Sequence, residues 1–322
     1  MATAGNFVAI AIEDTSADAG RILLYKHTGG ANYTLQQTIT RVAGSGANQG
    51  AKTTNITMET GTAANGDIIH WLAVGDAVQL TRRVEIYKSV NAANFTNTQN
   101  FTENFNNHWT ESMCMRGNFL IVGGRANGTS NPAKAIIYHY DIENDQWVER
   151  KEFTAIDDEN TDSGWHYEGH VVSINKLGHC ILSNSWGAGG GAAEDYDGYV
   201  ALYMNQDTTG GPGNFSWSLA SHLRSHHIDG DNGQADWAVD GAFTPGFGDA
   251  IAIDNNSIMI YTEGDTPDGA SASESTWRTG ALYVYETRNI KLKSPASFRF
   301  LQKSAANLRG QTGTKSYKIF SS

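Results

Sequence analysis

Residues 247–287 read FGDAIAIDNNSIMIYTEGDTPDGASASESTWRTGALYVYET, and this stretch decides the fold. Apolar and polar residues alternate over 250–253, a DNN turn follows, and 257–261 is a second β-rich run. A loop of Gly, Ser and Asp then leads to 280–285, where the alternation returns. A period of two, bounded by Asn, Asp and Gly, is typical of half-buried antiparallel strands.

The composition of the whole chain of 322 residues agrees with this interpretation. Glycine is abundant (35) and proline scarce (5), which favours many short strands joined by turns. No apolar run approaches the ~18 residues of a membrane span, so we predict no membrane insertion. The first residues lack the basic segment of a secretory signal, so we predict export, if any, without a cleaved signal peptide.

Charge and cysteine content exclude two further classes. The net charge of −11 argues against a nucleic-acid partner, because phosphates require clusters of Lys and Arg. Two cysteines, Cys114 and Cys180, cannot supply the disulfide framework of a chain of this size.

An internal repeat runs through the chain. The strand that ends at Tyr285 has four counterparts, GRILLYK, RRVEIYK, AIIYHYD and GYVALYM, whose matching tyrosines we assign as Tyr25, Tyr87, Tyr140 and Tyr203. After each tyrosine comes a polar residue, an aromatic, five residues and an apolar one. This second pattern begins at Asn32, Asn94 and Gln146, more loosely at Ser216, and at Ser297 only its start is present.

Five such units predict an all-β fold, a single five-bladed β-propeller of four-stranded blades. The blades are 1–40 with 311–322, 49–102, 108–154, 165–223 and 246–303, so that one domain covers 1–322. Blade 1 begins on its second strand, at residue 7. Because 311–320 overlays on 49–58 with a one-residue insertion, we predict that the tail supplies the missing first strand and closes the ring.

Three features of this stretch resemble the FG-GAP repeat of integrin-α-type β-propellers. They are the FG at 247–248, the hydrophobic run before a loop and the closing GALYVYE. The segment HIDGDNGQAD at 227–236 is similar to the calcium loop of that family, with His227 at an acidic position and Asn232 inserted. The resemblance implies Ca²⁺ as a cofactor on Asp229, Asp231 and Asp236. The alternative is an acidic loop that is merely solvated.

The longest predicted loops lie on one face of the propeller, where each second strand leads to the third and each blade leads to the next. Five of the eight tryptophans belong to that face, namely Trp109, Trp165, Trp186, Trp237 and Trp277. Loops on a rigid scaffold concentrate ligand contacts, and exposed aromatics suit a sugar or a protein partner. The alternatives are loops that only cover the ring and tryptophans that only anchor them.

The predicted innermost strands bring Ser316, Thr54, Glu111, His170 and Asp249 to the central channel. Glu111, His170 and Asp249 are therefore further candidate ligand-binding residues, and water is the alternative occupant. A register slip of one residue would turn these side chains away.

Enzymatic function is not expected. Glycoside hydrolysis needs two carboxylates across a cleft, and no motif assigns Glu111 and Asp249 as acid and base. No phosphate loop, zinc spacing or nucleophile elbow is present. We predict a structural or attachment protein of a virion, phage or cell surface that binds a glycan or protein. A lectin-like or integrin-like adhesion module of a secreted system is the alternative, and a five-bladed glycoside hydrolase follows it.

Overall fold

The computed structural model describes residues 1–12, 20–40, 53–76, 83–102, 109–124, 134–154, 171–184, 199–206, 215–223, 246–255, 257–263, 281–286 and 301–303. These residues form β-strands and turns and contain no helix, so none of them forms a helix that could cross a membrane. The strands make five antiparallel four-stranded sheets. The all-β prediction is therefore confirmed.

The chain divides into two compact units, Met1–Thr154 and Ala155–Ser322. The first unit holds three sheets in which consecutive strands pair. Sheet 1 contains β1 (Ala2–Ala4), β2 (Phe7–Ile12), β3 (Arg21–Gly29) and β4 (Asn32–Thr40). Sheet 2 contains β5 (Thr53–Thr62), β6 (Ile68–Asp76), β7 (Arg83–Val90) and β8 (Thr96–Thr102). Sheet 3 contains β9 (Trp109–Arg116), β10 (Phe119–Gly124), β11 (Lys134–Asp141) and β12 (Gln146–Thr154).

The second unit holds two sheets of the same topology. Sheet 4 contains β13 (Val171–Ile174), β14 (Cys180–Asn184), β15 (Tyr199–Asn205) and β16 (Trp217–Leu223). Sheet 5 contains β17 (Gly246–Ile253), β18 (Ser257–Glu263), β19 (Ala281–Glu286) and β20 (Leu301–Lys303). That residues 1–322 form a single domain stays a prediction.

Within each unit, successive sheets pack face to face. In the first unit β1 and β2 lie against β5, and β5 lies against β9; in the second, β13 lies against β17. Apolar side chains fill the layers, for example Phe7 and Leu24 between sheets 1 and 2, Trp71 and Met115 between sheets 2 and 3. Full burial of one such side chain contributes about 1.5–3 kcal/mol, so these layers are the main stabilising feature of each unit.

The repeated tyrosine is the fifth residue of the third strand in every sheet. The five residues are Tyr25, Tyr87, Tyr138, Tyr203 and Tyr285. In sheet 3 the assignment of Tyr140 was therefore wrong by two positions. Both tyrosines of AIIYHYD stand on the same face of the strand, so the alternation of the sequence could not distinguish them.

A β-bulge in the fourth strand accompanies this tyrosine in sheets 1 to 4. Next to it the fourth strand carries one extra residue, in the order Gln36, Thr98, Arg150 and Ala220. Each extra residue follows the repeated aromatic by three positions, counting from Tyr33, Phe95, Trp147 and Trp217. The aromatic pattern in the sequence thus marks a bulged strand, and its loose match at Trp217 is structurally equivalent to the others.

The first strand of sheet 1 differs from the prediction. Ala2–Ala4 (β1) pairs with β2, in the position that was assigned to the tail. A two-residue turn makes this possible, because Gly5 adopts a φ of 53°, which the first position of such a hairpin turn requires. The tail segment 311–322 lies outside the described residues, and ring closure stays a prediction.

Two glutamines of the fourth strands join neighbouring sheets in the first unit. The Gln37 amide nitrogen donates to Phe95 O (2.9 Å), and its amide oxygen accepts from Phe95 N (2.7 Å). Gln99 binds the backbone of Trp147 in the same way, at 2.8 and 2.9 Å. Each glutamine follows the aromatic of its own strand by four positions. We call this arrangement the glutamine clamp.

Candidate functional site

The described strands leave long connections at one end of each sheet, which we call the long-connection end. There the second strand leads to the third through 13–20, 77–82, 125–133, 185–198 and 264–280. At the same end one sheet leads to the next through 41–52, 103–108, 155–170 and 224–245. The opposite end has short turns in sheets 1 to 3, and its long connections are 206–216 and 287–300.

Side chains bind the backbone of the short turns. Asn175 Oδ1 accepts hydrogen bonds from the backbone N–H groups of Leu177 and His179, both at 3.0 Å. In sheet 3, Asp141 Oδ1 accepts from Glu143 N at 3.1 Å and Asn144 N at 3.2 Å. Such turns satisfy their polar groups locally and leave few of them for a ligand.

A charged aromatic cluster joins sheets 2 and 3 at the short-turn end. Lys88 Nζ lies 5.3 Å from the ring centre of Trp71 and donates to both carboxylate oxygens of Asp145, at 2.6 and 2.7 Å. The Tyr140 hydroxyl donates to Asp145 at 2.6 Å. Burial, followed by this hydrogen bond, raises the pKa of Tyr140. Tyr140 and Trp71 are each 2 % exposed, so the cluster stabilises the packing of sheets 2 and 3.

At the long-connection end, the first strands of sheets 3 and 5 begin with the same irregularity. In sheet 3, Gly124 pairs with Trp109 but Gly123 pairs with Ser112, so that Thr110 and Glu111 form a two-residue bulge. In sheet 5 the pairing passes from Phe247 to Ala250, so that Gly248 and Asp249 form the bulge. In both bulges an aromatic residue is followed by a residue with a left-handed backbone and then by an acid. We call them the acid bulges.

Thr110 carries the backbone strain of the sheet 3 bulge. Its φ is 79°, a left-handed value that a β-branched residue rarely adopts and that costs about 1–3 kcal/mol. The side chain is fully buried, and its Oγ1 has no hydrogen-bond partner within the described part of the chain. A Cβ on Gly75 would lie 2.8 Å from Thr110 Cβ, so the neighbouring strand tolerates Thr110 only because residue 75 is glycine.

In sheet 5 the sizes of the corresponding pair are exchanged. Gly248 takes the left-handed position with a φ of 101°, and Ser183 of the neighbouring sheet donates from its Oγ to Gly248 O at 2.6 Å. Ser183 and Gly75 are equivalent, since each pairs with the second residue of its third strand. At the bulge of sheet 3, Thr110 lies against Gly75 of sheet 2. At the bulge of sheet 5, Gly248 lies against the larger Ser183 of sheet 4.

The predicted site residues fall into two groups. Trp109, Glu111 and Asp249 lie in β9 and β17, where the structure describes the backbone but not these side chains. The others lie outside the described residues, namely Trp165, Trp186, Trp237, Trp277, His170, Asp229, Asp231 and Asp236. Of the predicted channel residues, Thr54 is the extra residue of a bulge in β5, and Ser316 lies outside the described residues.

No group of three or more potential metal ligands occurs among the described histidines, cysteines and acids. Two histidines, the buried His139 and the partly buried His179, have strongly depressed pKa values. Burial lowers the pKa of His179 to about 4, and its Nδ1 lies 3.1 Å from Asn205 N, from which it accepts a hydrogen bond. Burial and, secondarily, Arg150 lower the pKa of His139 to about 4. Both rings are therefore neutral and unsuited to binding an anion at neutral pH.

The sequence interpretation did not identify the acid bulges, although a signal was present. WTES at 109–112 aligns with FGDA at 247–250 as aromatic, turn residue, acid and small residue. The glutamine clamp had a signal too, because Gln37 and Gln99 recur at one offset from an aromatic. Neither signal shows from alternation alone, since a bulge interrupts the period of two.

No family model matches the chain, and no curated protein matches it. Among solved structures, a six-bladed β-propeller lectin of Aleuria aurantia is 13% identical with a TM-score of 0.40, over 95% of this chain and 80% of the lectin. The tricorn protease is 12% identical with a TM-score of 0.39, over 93% of this chain and 26% of the protease. The β-propeller domain of the Trilobed protease from Pyrococcus furiosus is 13% identical with a TM-score of 0.32, over 88% of this chain and 80% of that chain.

Proposed function

We propose that the chain is a non-enzymatic, five-bladed β-propeller that serves recognition or assembly on a virion, phage or cell surface. It binds a glycan or a protein through the long-connection end. The observation that carries this proposal is the asymmetry of the sheets. The described short turns satisfy their own polar groups, while most of the long segments and five tryptophans of the sequence belong to the other end.

Propeller architecture is supported by the packing within each unit, where successive four-stranded sheets lie face to face with their first strands adjacent. A closed five-sheet ring is part of this proposal, because closure leaves no exposed sheet edge for aggregation. The glutamine clamp does not extend to sheet 5, since Gln302 pairs with Tyr285 itself, whereas Gln37 and Gln99 pair with the residue before the tyrosine.

We prefer a binding role to catalysis because the sequence carries no catalytic motif and the described residues form no constellation of catalytic groups. Among the described residues, the strongly shifted groups are histidines, tyrosines and a cysteine held by burial in the sheets. Raised or lowered pKa values of this kind accompany packing as well as catalysis, and none belongs to a paired carboxylate. The alternative, a lectin-like or integrin-like adhesion module, belongs to a secreted system and not to a virion. Both alternatives bind their partner through the long-connection end.

The test combines a ligand screen with paired variants. The purified protein is screened on an array of neutral and charged glycans, and in parallel for association with particles assembled without it. Trp186→Ala and Trp237→Ala are expected to weaken whichever interaction is found about thirtyfold, the effect of removing an anchor worth ~2 kcal/mol. They should leave the melting temperature within a few degrees of the parent value.

The control lies at the short-turn end. Thr28→Ala changes an exposed side chain there, whose hydroxyl makes a long hydrogen bond to Asn32 O (3.4 Å) within its own hairpin. Lys26 and Lys88 are unsuitable, because they bind Ala92 O and Asp145 of neighbouring sheets. Thr28→Ala is expected to change neither binding nor stability. Loss of binding in Thr28→Ala, with intact binding in both tryptophan variants, would place the partner at the opposite end and refute the proposal.

A further inference from the structure

Two turns of sheet 2 meet at the short-turn end through one carboxylate. Asp67, in the turn between β5 and β6, accepts hydrogen bonds from Asn65 Nδ2 at 2.7 Å and from Asn91 Nδ2 at 2.9 Å. Asn91 lies in the turn between β7 and β8, and its Oδ1 accepts from Ile68 N at 3.2 Å. The hydrogen bonds from Asn91 and then from Asn65 lower the pKa of Asp67, so its carboxylate is ionised at neutral pH. We call this arrangement the turn network.

Asn65 is followed by a glycine, and both residues are exposed. In an Asn-Gly pair the backbone nitrogen of the glycine can reach the side-chain amide of the asparagine, because no Cβ obstructs the approach. Open space surrounds this glycine, since a Cβ at Gly66 would have nothing within 4 Å. Asparagine is a thermolabile residue for this reason, and the chemistry of the pair makes Asn65 reactive.

The turn itself restrains this reaction. The Gly66 N–H donates to Ala63 O at 3.0 Å, and the Asp67 N–H donates to Asn65 Oδ1 at 3.1 Å. Asp67 also holds the amide nitrogen of Asn65. The turn must therefore loosen before Gly66 N can attack, and each hydrogen bond that has to break slows the reaction.

We propose that Asn65 is a deamidation site, that Asp67 restrains its conversion, and that the product breaks the turn network. In the reaction Gly66 N attacks Asn65 Cγ, and a C–N bond forms as the Cγ–Nδ2 bond breaks. The proton of the Gly66 N–H leaves with the amide nitrogen as ammonia. Water then opens the succinimide ring, which gives aspartate or isoaspartate at position 65. Water is the only co-reactant.

The product places two carboxylates where an amide and a carboxylate now share a hydrogen bond. A carboxylate at position 65 has no N–H for Asp67, and the two like charges repel each other. Asp67 then keeps Asn91 as its side-chain donor but loses Asn65, so the pKa of Asp67 should rise. The modified protein carries a looser turn and one more negative charge. Because this happens at the short-turn end, the inference does not depend on the proposed binding function.

The rate of conversion is the first test. Peptide mass spectrometry follows the native protein and the urea-unfolded chain for several weeks at mildly alkaline pH. We expect Asn65 to convert in both, and more slowly in the native protein. Asn91 is the internal comparison and should stay unmodified in the native protein, because its amide is held by both Asp67 and Ile68 N and the next residue is Ala92, which has a Cβ. The same digest maps the other two Asn-Gly pairs, at 127–128 and 232–233.

Asp67→Asn tests the restraint. It keeps an oxygen for Asn91 but removes the carboxylate that holds the Asn65 amide, so conversion in the native protein should be about tenfold faster. Each rate is divided by that of the same variant unfolded in urea. Equal ratios in the parent and Asp67→Asn would overturn the proposal. So would an intact Asn65 in the native parent after the unfolded chain has converted.

A second experiment measures the effect of the product on stability, independently of the rate. Asn65→Asp carries the charge of the product and should lower the melting temperature by about 2 °C, less at high salt because salt screens exposed charges. Asn97→Asp adds the same charge at an exposed residue whose amide donates to the neutral Asn100, and it should melt like the parent.

Exchanging the two side chains provides the rescue. In the double variant Asn65→Asp with Asp67→Asn, residue 67 keeps an oxygen for Asn91 and gains an N–H for the carboxylate at position 65. The melting temperature of the parent should therefore return. A double variant that is no more stable than Asn65→Asp would refute the turn network as the element that deamidation breaks.

Discussion

The side-chain amide of Gln37 forms two hydrogen bonds with the backbone of a single residue of the neighbouring sheet, Phe95, one through its nitrogen and one through its oxygen. Phe95 is 3 % exposed, so water cannot easily replace either bond. The same geometry links Gln99 and Trp147. The clamp fixes the register between sheets through backbone groups, independently of the side chain that packs beside it.

Removal of a clamp should destabilise the first unit. Gln37→Ala and Gln99→Ala each leave a backbone N–H and a C=O without a partner, at a cost of about 2–3 kcal/mol, and the melting temperature should fall by about 5 °C. Gln37→Glu keeps the acceptor but loses the donor, so an intermediate loss is expected. Thr34→Ala, at an exposed position of β4, is the control. Thermal unfolding followed by circular dichroism measures the differences.

Gln302→Ala tests whether the clamp depends on strand register. Gln302 pairs with Tyr285 itself, whereas Gln37 pairs with the residue before Tyr25, so we expect a smaller fall in melting temperature for Gln302→Ala than for Gln37→Ala. Equal falls in the two variants would show that the register does not decide the contribution of the glutamine.

Two glycines with a positive φ, Gly66 and Gly248, distinguish the free-energy cost of backbone strain from that of steric overlap. Gly248→Ala combines a φ of 101° with a Cβ that would lie 2.9 Å from Val200 Cγ2 and still closer to Ser183 Oγ. Gly66→Ala has a φ of 86° and nothing within 4 Å of the added Cβ. We expect a loss of about 1 kcal/mol for Gly66→Ala, from strain alone, and at least 3 kcal/mol for Gly248→Ala. Equal losses in chemical denaturation would show that Ser183 moves aside freely.

Lowering the pH should destabilise the protein over a pH range that is set by the pKa values of His139 and His179. Burial lowers the folded-state pKa of His139 and His179 to about 4, below the ordinary value of 6.5. The unfolded chain therefore binds more protons than the folded chain between these values. Stability contributed by the neutral rings is complete above pH ~6.5 and is lost as the pH falls towards 4.

His179→Gln should reduce this pH dependence, because glutamine does not titrate yet can still accept a hydrogen bond. Free energies of unfolding from urea titrations at several pH values measure the slope. An unchanged slope in His179→Gln would mean that the pKa of His179 is the same in the folded and the unfolded chain, so that burial would not depress it.

Calcium should stabilise the chain if the acidic segment 227–236 holds the ion. Millimolar Ca²⁺ should then raise the melting temperature, because a ligand that binds only the folded state shifts the equilibrium towards it. Asp229→Ala combined with Asp231→Ala should abolish the rise, with Mg²⁺ as the comparison ion. A parent protein that melts at one temperature with and without Ca²⁺ would leave these acids as solvated charges.

The sequence by itself determined the strands, because alternation and turn residues are local properties. Nineteen of the predicted strands overlap β2 to β20, and β2 (Phe7–Ile12) begins at the predicted residue. The aromatic near the start of each fourth strand was equally evident, because it follows a polar residue in each repeat of the sequence. The long connections at one end followed from strand order, which short hairpins impose.

Tertiary structure alone decided what depends on register and on neighbouring sheets. Tyr138 replaced Tyr140 as the repeated tyrosine because the bulge, which only strand pairing reveals, lies beside it. Ala2–Ala4 took the first-strand position since three residues and a tight turn suffice to pair with β2. The strain at Thr110 and the clamp at Gln37 arise from contacts across the sheet layers. Local alternation carries no information about such contacts, because they join residues far apart in the chain.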